Sequence, residues 1–235
     1  MSAVPVTTIL VHSPFLGPAS MRPLADALAA SGRPVLLLDL RVTVNAAPVH
    51  QRLIGVFADA VDDSQVGGPV VLVGHSGAGP LLPAFADALE LDVQGLVFLD
   101  SVLPTPGRSW RDTVPPELMA HLKSISSDGK LPRWDRWFEP NPLPGLVPDA
   151  ALRAEIVDEE PEVPLDFLKE QRPSVTWDGP SGYVQLSEVY AKDADEAEAL
   201  GWPVRRLDAD HLALATRPEA VASALAEILS GFSRP

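Results

Sequence analysis

The chain has 235 residues, 46% hydrophobic and 21% charged, with 18 Lys+Arg against 32 Asp+Glu for a formal charge of −14. That size and composition support one packed domain and exclude a disordered chain, while the acidic balance repels phosphate backbones and anionic lipid surfaces, so no nucleic-acid and no membrane partner is expected. The absence of cysteine excludes disulfides, thiolate metal sites and a cysteine nucleophile.

Residues 1–6 carry no basic stretch followed by an apolar core, and no window is long and apolar enough for a membrane span, so a soluble, cytoplasmic protein is expected. From there, short apolar runs alternate with helical patterns. A strand is predicted at 7–11, a helix at 21–30, a strand at 35–40, a helix at 49–61, a strand at 70–73, a helix at 81–89 and a strand at 96–99. After a long interruption come strands at 183–186 and 204–207, with helices at 195–200 and 218–229, the last opening on Pro218 in its first turn. Near-continuous apolar strands separated by helices predict a doubly wound α/β fold with a mostly parallel sheet of about six strands.

The interruption, residues 104–180, is rich in Pro and holds four of the five Trp, with helical fragments at 116–125 and 149–157. So long a connection is rarely bare loop. It reads as a helical cap inserted into a core made of 1–103 and 181–235, lying over the strand ends where open α/β sheets place ligands. The acidic run Asp158, Glu159, Glu160 and Glu162 reads as a solvated face.

The strongest chemical signal is Val70-Val71-Leu72-Val73-Gly74-His75-Ser76-Gly77-Ala78-Gly79-Pro80-Leu81-Leu82. A buried strand runs into a small-residue turn and then a helix, the setting in which a serine is held at a strained bend with small residues two before and two after it. Gly74 and Ala78 meet that demand, and the N–H of Gly77 points at an anion forming beside Ser76. A serine hydroxyl needs a base that titrates near neutral pH. Of the five histidines, His211 follows the last strand and precedes the final helix, on the sheet edge where Ser76 emerges.

The turn at Ser76, the Asp210-His211 pair after the last strand and the strand rhythm resemble the α/β-hydrolase superfamily over nearly the whole chain. The opening Ile9-Leu10-Val11-His12-Ser13-Pro14-Phe15-Leu16-Gly17 resembles the first loop of its small esterase and hydroxynitrile-lyase branch, and 98–104 resembles the next segment. The resemblance implies a Ser–acid–His triad and a sheet lacking the two leading strands of larger members. Two positions depart from it. The usual acid follows the penultimate strand, where the chain offers only Glu188, with Asp193 further on; Asp100, after the preceding strand, is the first candidate and Glu188 the alternate. The first-loop oxyanion donor falls near Pro14, which has no N–H, so the N–H of Phe15 or the hydroxyl of Ser13 has to join Gly77.

His12, His75, Trp110, Trp134 and Trp137 are the candidate pocket residues for a small apolar substrate. No cofactor and no metal is called for. The leading expectation is ester or thioester hydrolysis through an acyl-enzyme. A lyase or C–C hydrolase using the same triad, and a non-catalytic ligand-binding module on the same fold, stand beside it.

Overall fold

Six short apolar runs become strands because helices bury both of their faces. In the computed structural model, which describes residues 5–232 and leaves part of the stretch read as lacking a signal sequence outside, these are β1 (Thr7–Val11), β2 (Val35–Leu37), β3 (Val70–His75), β4 (Val93–Leu99), β5 (Ser181–Gln185) and β6 (Val204–Arg206). They form one sheet in the order β2-β1-β3-β4-β5-β6, every pair parallel. The helices are α1 (Arg22–Ala30), α2 (Val49–Asp63), α3 (Leu82–Asp87), α4 (Pro116–Ile125), α5 (Leu143–Leu146), α6 (Ala150–Glu159), α7 (Ala191–Ala199), α8 (Ala213–Thr216) and α9 (Pro218–Ser230).

Alternate strand residues point to opposite faces, which divides the core in two. Leu10, Val71, Val73, Val97, Leu99 and Val184 pack with Leu24 and Leu28 of α1 and with Val221 and Leu225 of α9. Ile9, Leu72, Leu96, Phe98 and Tyr183 pack with Phe57 of α2, Phe85 of α3 and Ala194 of α7 on the other face. The chain enters the sheet at β1, turns outward to β2 and then returns to β3, so the loops after β1 and β3 diverge. That switch point opens at the C-terminal strand ends.

Register decides what meets there. His75 pairs with Leu99 and Leu99 with Val184, so Ser76 and Asp100 leave adjacent strands at the same level and β5 ends beside them.

Several boundaries differ from the sequence reading for local reasons. Strand β2 stops at Leu37 rather than 40, because the Leu40 N–H donates to His12 Nε2 at 3.0 Å and the chain turns into a 3-10 segment, Arg41–Thr43. The predicted helix at 81–89 is α3 alone, preceded by a 3-10 stretch over Ser76–Leu81. Pro80 has no N–H and its ring crowds the preceding turn, so regular α-helix starts only beyond it. Strand β4 begins three residues earlier than predicted.

Residues 104–180 contain α4, α5 and α6 and are tied to the sheet layers by specific contacts. Asp149 caps α6 by accepting from Leu152 N at 2.8 Å. At the other end of α6 the acidic run is only partly a solvated face: Asp158 and Glu162 are exposed, but Glu159 and Glu160 turn inward. Glu159 accepts from the Ala19 N–H after β1 and pairs with Arg22, 3.2 Å away. Glu160 is only 2% exposed, and its Oε2 accepts from Asp135 N at 2.8 Å. Its Oε1 and the Asp135 Oδ1 are both buried without hydrogen-bond partners among the described residues.

Burial pushes the Glu160 carboxyl up from 4.5 to about 8; the Asp135 N–H pulls it down, while the Asp135 carboxyl pushes it up. An acid with a raised folded-state value contributes stability that is complete below its unfolded value and drains away as the pH climbs towards the folded one. Arg133 opposes the shift, and Arg136 lies 4.0 Å from Asp135. Glu160→Gln should therefore melt above wild type at pH about 8–9 and lose most of that advantage near pH 5. Thermal melts across that range check it, and a constant difference at every pH would contradict it.

Candidate active site

Ser76 stands where β3 breaks into the 3-10 stretch, with a backbone φ of 54°. A side chain other than glycine in that left-handed region is strained and persists only where its surroundings hold it. Two glycines make the bend possible. A Cβ on Gly74 would lie 2.9 Å from Leu82, and one on Gly79 would overlap Ser101 Oγ. The bend lifts the serine hydroxyl to the sheet edge, half exposed, while His75 before it and Ala78 after it are buried.

From the next strand, Asp100 also leaves in left-handed backbone, φ 43°, and is fully buried. Its Oδ2 meets His211 Nδ1 at 2.7 Å, and His211 Nε2 meets Ser76 Oγ at 3.0 Å. Since the carboxylate can only accept, Nδ1 carries the proton and Nε2 is left as acceptor for the serine O–H. The opposite face of the carboxylate is fully occupied. Leu186 N and Ser187 N donate to Oδ1 at 2.8 Å each, and Ser187 Oγ donates to Oδ2 at 2.7 Å. Burial by itself pushes the Asp100 carboxyl up, but the hydrogen bonds from His211 and Ser187 more than reverse it and hold it below the ordinary carboxylate range.

Glu188, the alternate acid, is exposed in the 3-10 turn after β5 and makes no contact with the imidazole. One residue earlier, Ser187 spends its N–H and hydroxyl on Asp100, so the turn that carries Glu188 is pinned with its carboxylate facing out. Asp193 instead accepts from Leu103 N at 3.2 Å.

Rings enclose the imidazole. Tyr190 stacks on it with centroids 5.3 Å apart and planes 21° off parallel, His75 lies 4.6 Å away, and Trp134 approaches to 6.4 Å. His75 is not a pocket residue: it is fully buried, and its Nε2–H donates to the His211 carbonyl at 3.0 Å, anchoring the loop that carries the imidazole. Desolvation there lowers its value to about 3, so it stays neutral. His12 is also withdrawn from the pocket. It is buried, with Nδ1 donating to the Ser13 carbonyl at 2.8 Å and Nε2 accepting from Leu40, which ties β1 to the end of β2.

The first loop borders the serine turn. A Cβ on Gly77 would lie 3.2 Å from Pro14 and 3.3 Å from Ser13 Oγ, so that glycine lets the two loops close together. The Phe15 N–H is already engaged, donating to Ser13 Oγ at 3.3 Å. The Ser13 hydroxyl thereby stands between the Phe15 amide and the neighbourhood of Gly77, and it donates to no protein group among the described residues. The Phe15 ring is wedged between Trp137 at 4.8 Å, Phe167 at 5.6 Å and Trp110 at 6.4 Å. Trp137 is buried, while Trp110 and Trp134 are half-buried, so these aromatics form a packed wall beside the serine. Two surface cavities lie apart from it, one of about 370 Å³ bounded by Pro48, His50 and Glu170, the other of about 650 Å³ at the N-terminal strand ends near Thr8, Pro34 and Val71. Among the described residues, no group of three or more His, Asp or Glu side chains is placed to hold a metal ion.

Ser187 and Tyr190 were not anticipated from the sequence. The residues after β5 offer a carboxylate at Glu188, and nothing in their spacing marks a hydroxyl or a ring as part of the site.

Comparison with known proteins gives a consistent placement. A family model described as alpha/beta hydrolase family matches residues 8–224. No curated protein matches the chain. Among solved structures, an extracellular α/β-hydrolase from a Paenibacillus species, described as sharing structural and functional homology with tobacco salicylic acid binding protein 2, superposes with a TM-score of 0.75 at 19% identity, covering 95% of this chain and 99% of that one. A pyrethroid hydrolase from Sphingobium faniae JZ-2 gives 0.71 at 19%, covering 97% and 98%. Methylketone synthase I from tomato, bound to 2-tridecanone, gives 0.69 at 16%, covering 98% and 100%. At such identities the structures speak for a common fold, and with the family model spanning all but the ends, the chain belongs to the α/β-hydrolase family.

Proposed function

We propose that the chain is a serine hydrolase that cleaves an ester or thioester of a small apolar substrate through an acyl-enzyme. The observation that carries this reading is the unbroken line of hydrogen bonds from Asp100 through His211 to the strained hydroxyl of Ser76, at 2.7 and 3.0 Å.

In this reading Ser76 Oγ attacks the carbonyl carbon while its proton passes to His211 Nε2. The imidazolium is stabilised by Asp100, which stays ionised because its surroundings favour the charged form. Gly77 N–H and the Ser13 hydroxyl face the oxyanion, with the Phe15 amide polarising Ser13 from behind, in place of the donor that Pro14 lacks. The alcohol or thiol leaves with the proton from His211. Water, activated by the same base, then attacks the acyl-enzyme and releases the acid. The wall of Phe15, Trp110, Trp134 and Trp137 favours an apolar group beside the reacting carbonyl, and residues 104–180 act as a cap over the serine.

A fluorophosphonate probe tests the nucleophile. Wild type should be labelled on Ser76 and should turn over short p-nitrophenyl esters, and both should vanish in Ser76→Ala. Persistent labelling in that variant, or a folded wild type that neither reacts nor turns over, would refute the reading. To test the acid, Asp100→Asn should lower kcat by about 10³–10⁴, the cost of losing the correct imidazole tautomer. Glu188→Gln should leave kcat essentially unchanged. Steady-state kinetics of the two variants check this, and the reverse ranking would move the acid to Glu188.

A further inference from the structure

Residues 104–180 hold a buried cation that the chemistry at Ser76 does not use. Arg172 is only 4% exposed, yet among the described residues no carboxylate forms an ion pair with it. Its Nη1–H donates to Thr105 Oγ1 and its Nη2–H to Thr113 Oγ1 at 3.5 Å. A guanidinium carries five N–H groups, so most of its donors are left without a protein acceptor. Its Nε bonds no protein group and is not among the fully enclosed unpartnered atoms, so that edge is open to the outside.

A second guanidinium is built in beside it. The Gly107 N–H donates to the Arg172 carbonyl at 3.2 Å, the Arg172 N–H donates to the Arg108 carbonyl at 3.1 Å, and Ser109 bridges Gln171 in antiparallel fashion. Arg108 is exposed, and its Nη2–H donates to the Asp112 carbonyl, one residue from the Thr113 hydroxyl that takes Arg172. Both guanidinium heads therefore rest on consecutive residues of one short turn. The acid of that turn is already engaged, because Asp112 Oδ2 accepts from the Ser109 N–H at 2.9 Å and from Ser109 Oγ at 2.6 Å.

A cation taken out of water without a counter-ion is costly, and folded proteins pair such charges. Burial and Arg108 lower the Arg172 guanidinium to about 10 against the opposing pull of Asp112, so it stays charged at neutral pH. We propose that Arg172, Arg108 and Thr105 form a binding site for a phosphate group, supplied as free phosphate or as a small phosphomonoester. Two planar forks match its oxygens, and its double charge neutralises both, which a single carboxylate does not. Thr105 Oγ1 accepts from Arg172, and its own proton goes to no protein group among the described residues, which leaves it for a further phosphate oxygen. The chain's charge of −14 opposes anions at long range, so affinity rests on this local cluster. Thr113 Oγ1 also donates to the Trp110 carbonyl at 2.9 Å, and the Trp110 ring packs against Phe15 and Trp137. Filling the site thereby steadies the turn that carries part of the aromatic wall.

Thermal melts of the whole protein test this, with inorganic phosphate and phenyl phosphate as probes and sodium chloride at matched ionic strength as the reference. Wild type should gain roughly a few degrees in Tm over chloride, saturating by about 10 mM phosphate. Phenyl phosphate acting at lower concentration than phosphate would assign the site to a phosphomonoester, and the reverse order to the free ion. Arg172→Met removes the charge at similar volume, so in chloride it should melt at or above wild type, and phosphate should add nothing. Arg108→Gln, at an exposed position, should keep the wild-type Tm in chloride and need about tenfold or more phosphate for the same gain. That variant decides the matter if Arg172→Met folds poorly. No gain over chloride in wild type, a gain that never saturates, or an equal gain in the variants would overturn the proposal, leaving Arg172 as a tie between Thr105 and Thr113. None of these readouts needs a substrate, so the reading of Ser76 stands or falls separately.

Discussion

The hydrogen bond between a buried carboxylate and an imidazole brought in from beyond two further strands is the constraint around which this end of the molecule is organised. Asp100 is fully buried, and an ionised group in that position is tolerable only if each lone pair finds a donor. The chain supplies four: two amides and a hydroxyl from the turn after β5, and the Nδ1–H of His211. The same bonds that satisfy the charge also tie β4, β5 and the loop after β6 together, so the acid is structural cement and site component at once. His75 completes the hold by bonding the backbone of His211.

Placing the acid after β4 changes what the neighbouring turn can do. Ser187 is drawn inward to the carboxylate, Glu188 is turned out to solvent, and Tyr190 is brought back over the imidazole. A ring on one face and His75 on another leave His211 little freedom to rotate away from the serine. On the other side of Ser76 the first loop closes against Gly77, with Ser13 in the position where Pro14 can donate nothing. The strained backbone at both Ser76 and Asp100 is the cost of aiming two side chains at one imidazole from adjacent strands.

Much of this is legible in the sequence. The strands are continuous apolar runs, and parallel packing between helices demands that pattern, so all six are legible, while most of their ends shift: β2 stops at Leu37, β3 runs on to His75, β4 starts at Val93, β5 spans Ser181–Gln185 and β6 stops at Arg206. Ser76 announced itself through the small residues around it, which answer a steric requirement as local as the turn. His211 and Asp100 were readable because each directly follows a strand, and strand ends define the site edge. Exposure and hydrogen bonding were not readable in the same way. His12 and His75 looked like pocket residues from proximity alone, but both are buried and use their rings to hold backbone. Glu160 looked like a surface charge until the end of α6 turned it inward against Asp135. Tyr190 depends on where a turn places a ring in three dimensions, and no spacing encodes that.

The site depends on a particular tautomer of one histidine, with Nδ1 donating to Asp100 and Nε2 accepting from Ser76. Nitrogen-15 NMR of the assigned His211 ring, at a pH where the imidazole is neutral, reads this directly. A protonated Nδ1 and a bare Nε2 are expected, collapsing towards a mixture when Asp100 is replaced by Asn. A His211 protonated on Nε2 in the wild-type protein would contradict it, because that nitrogen could then take no proton from Ser76.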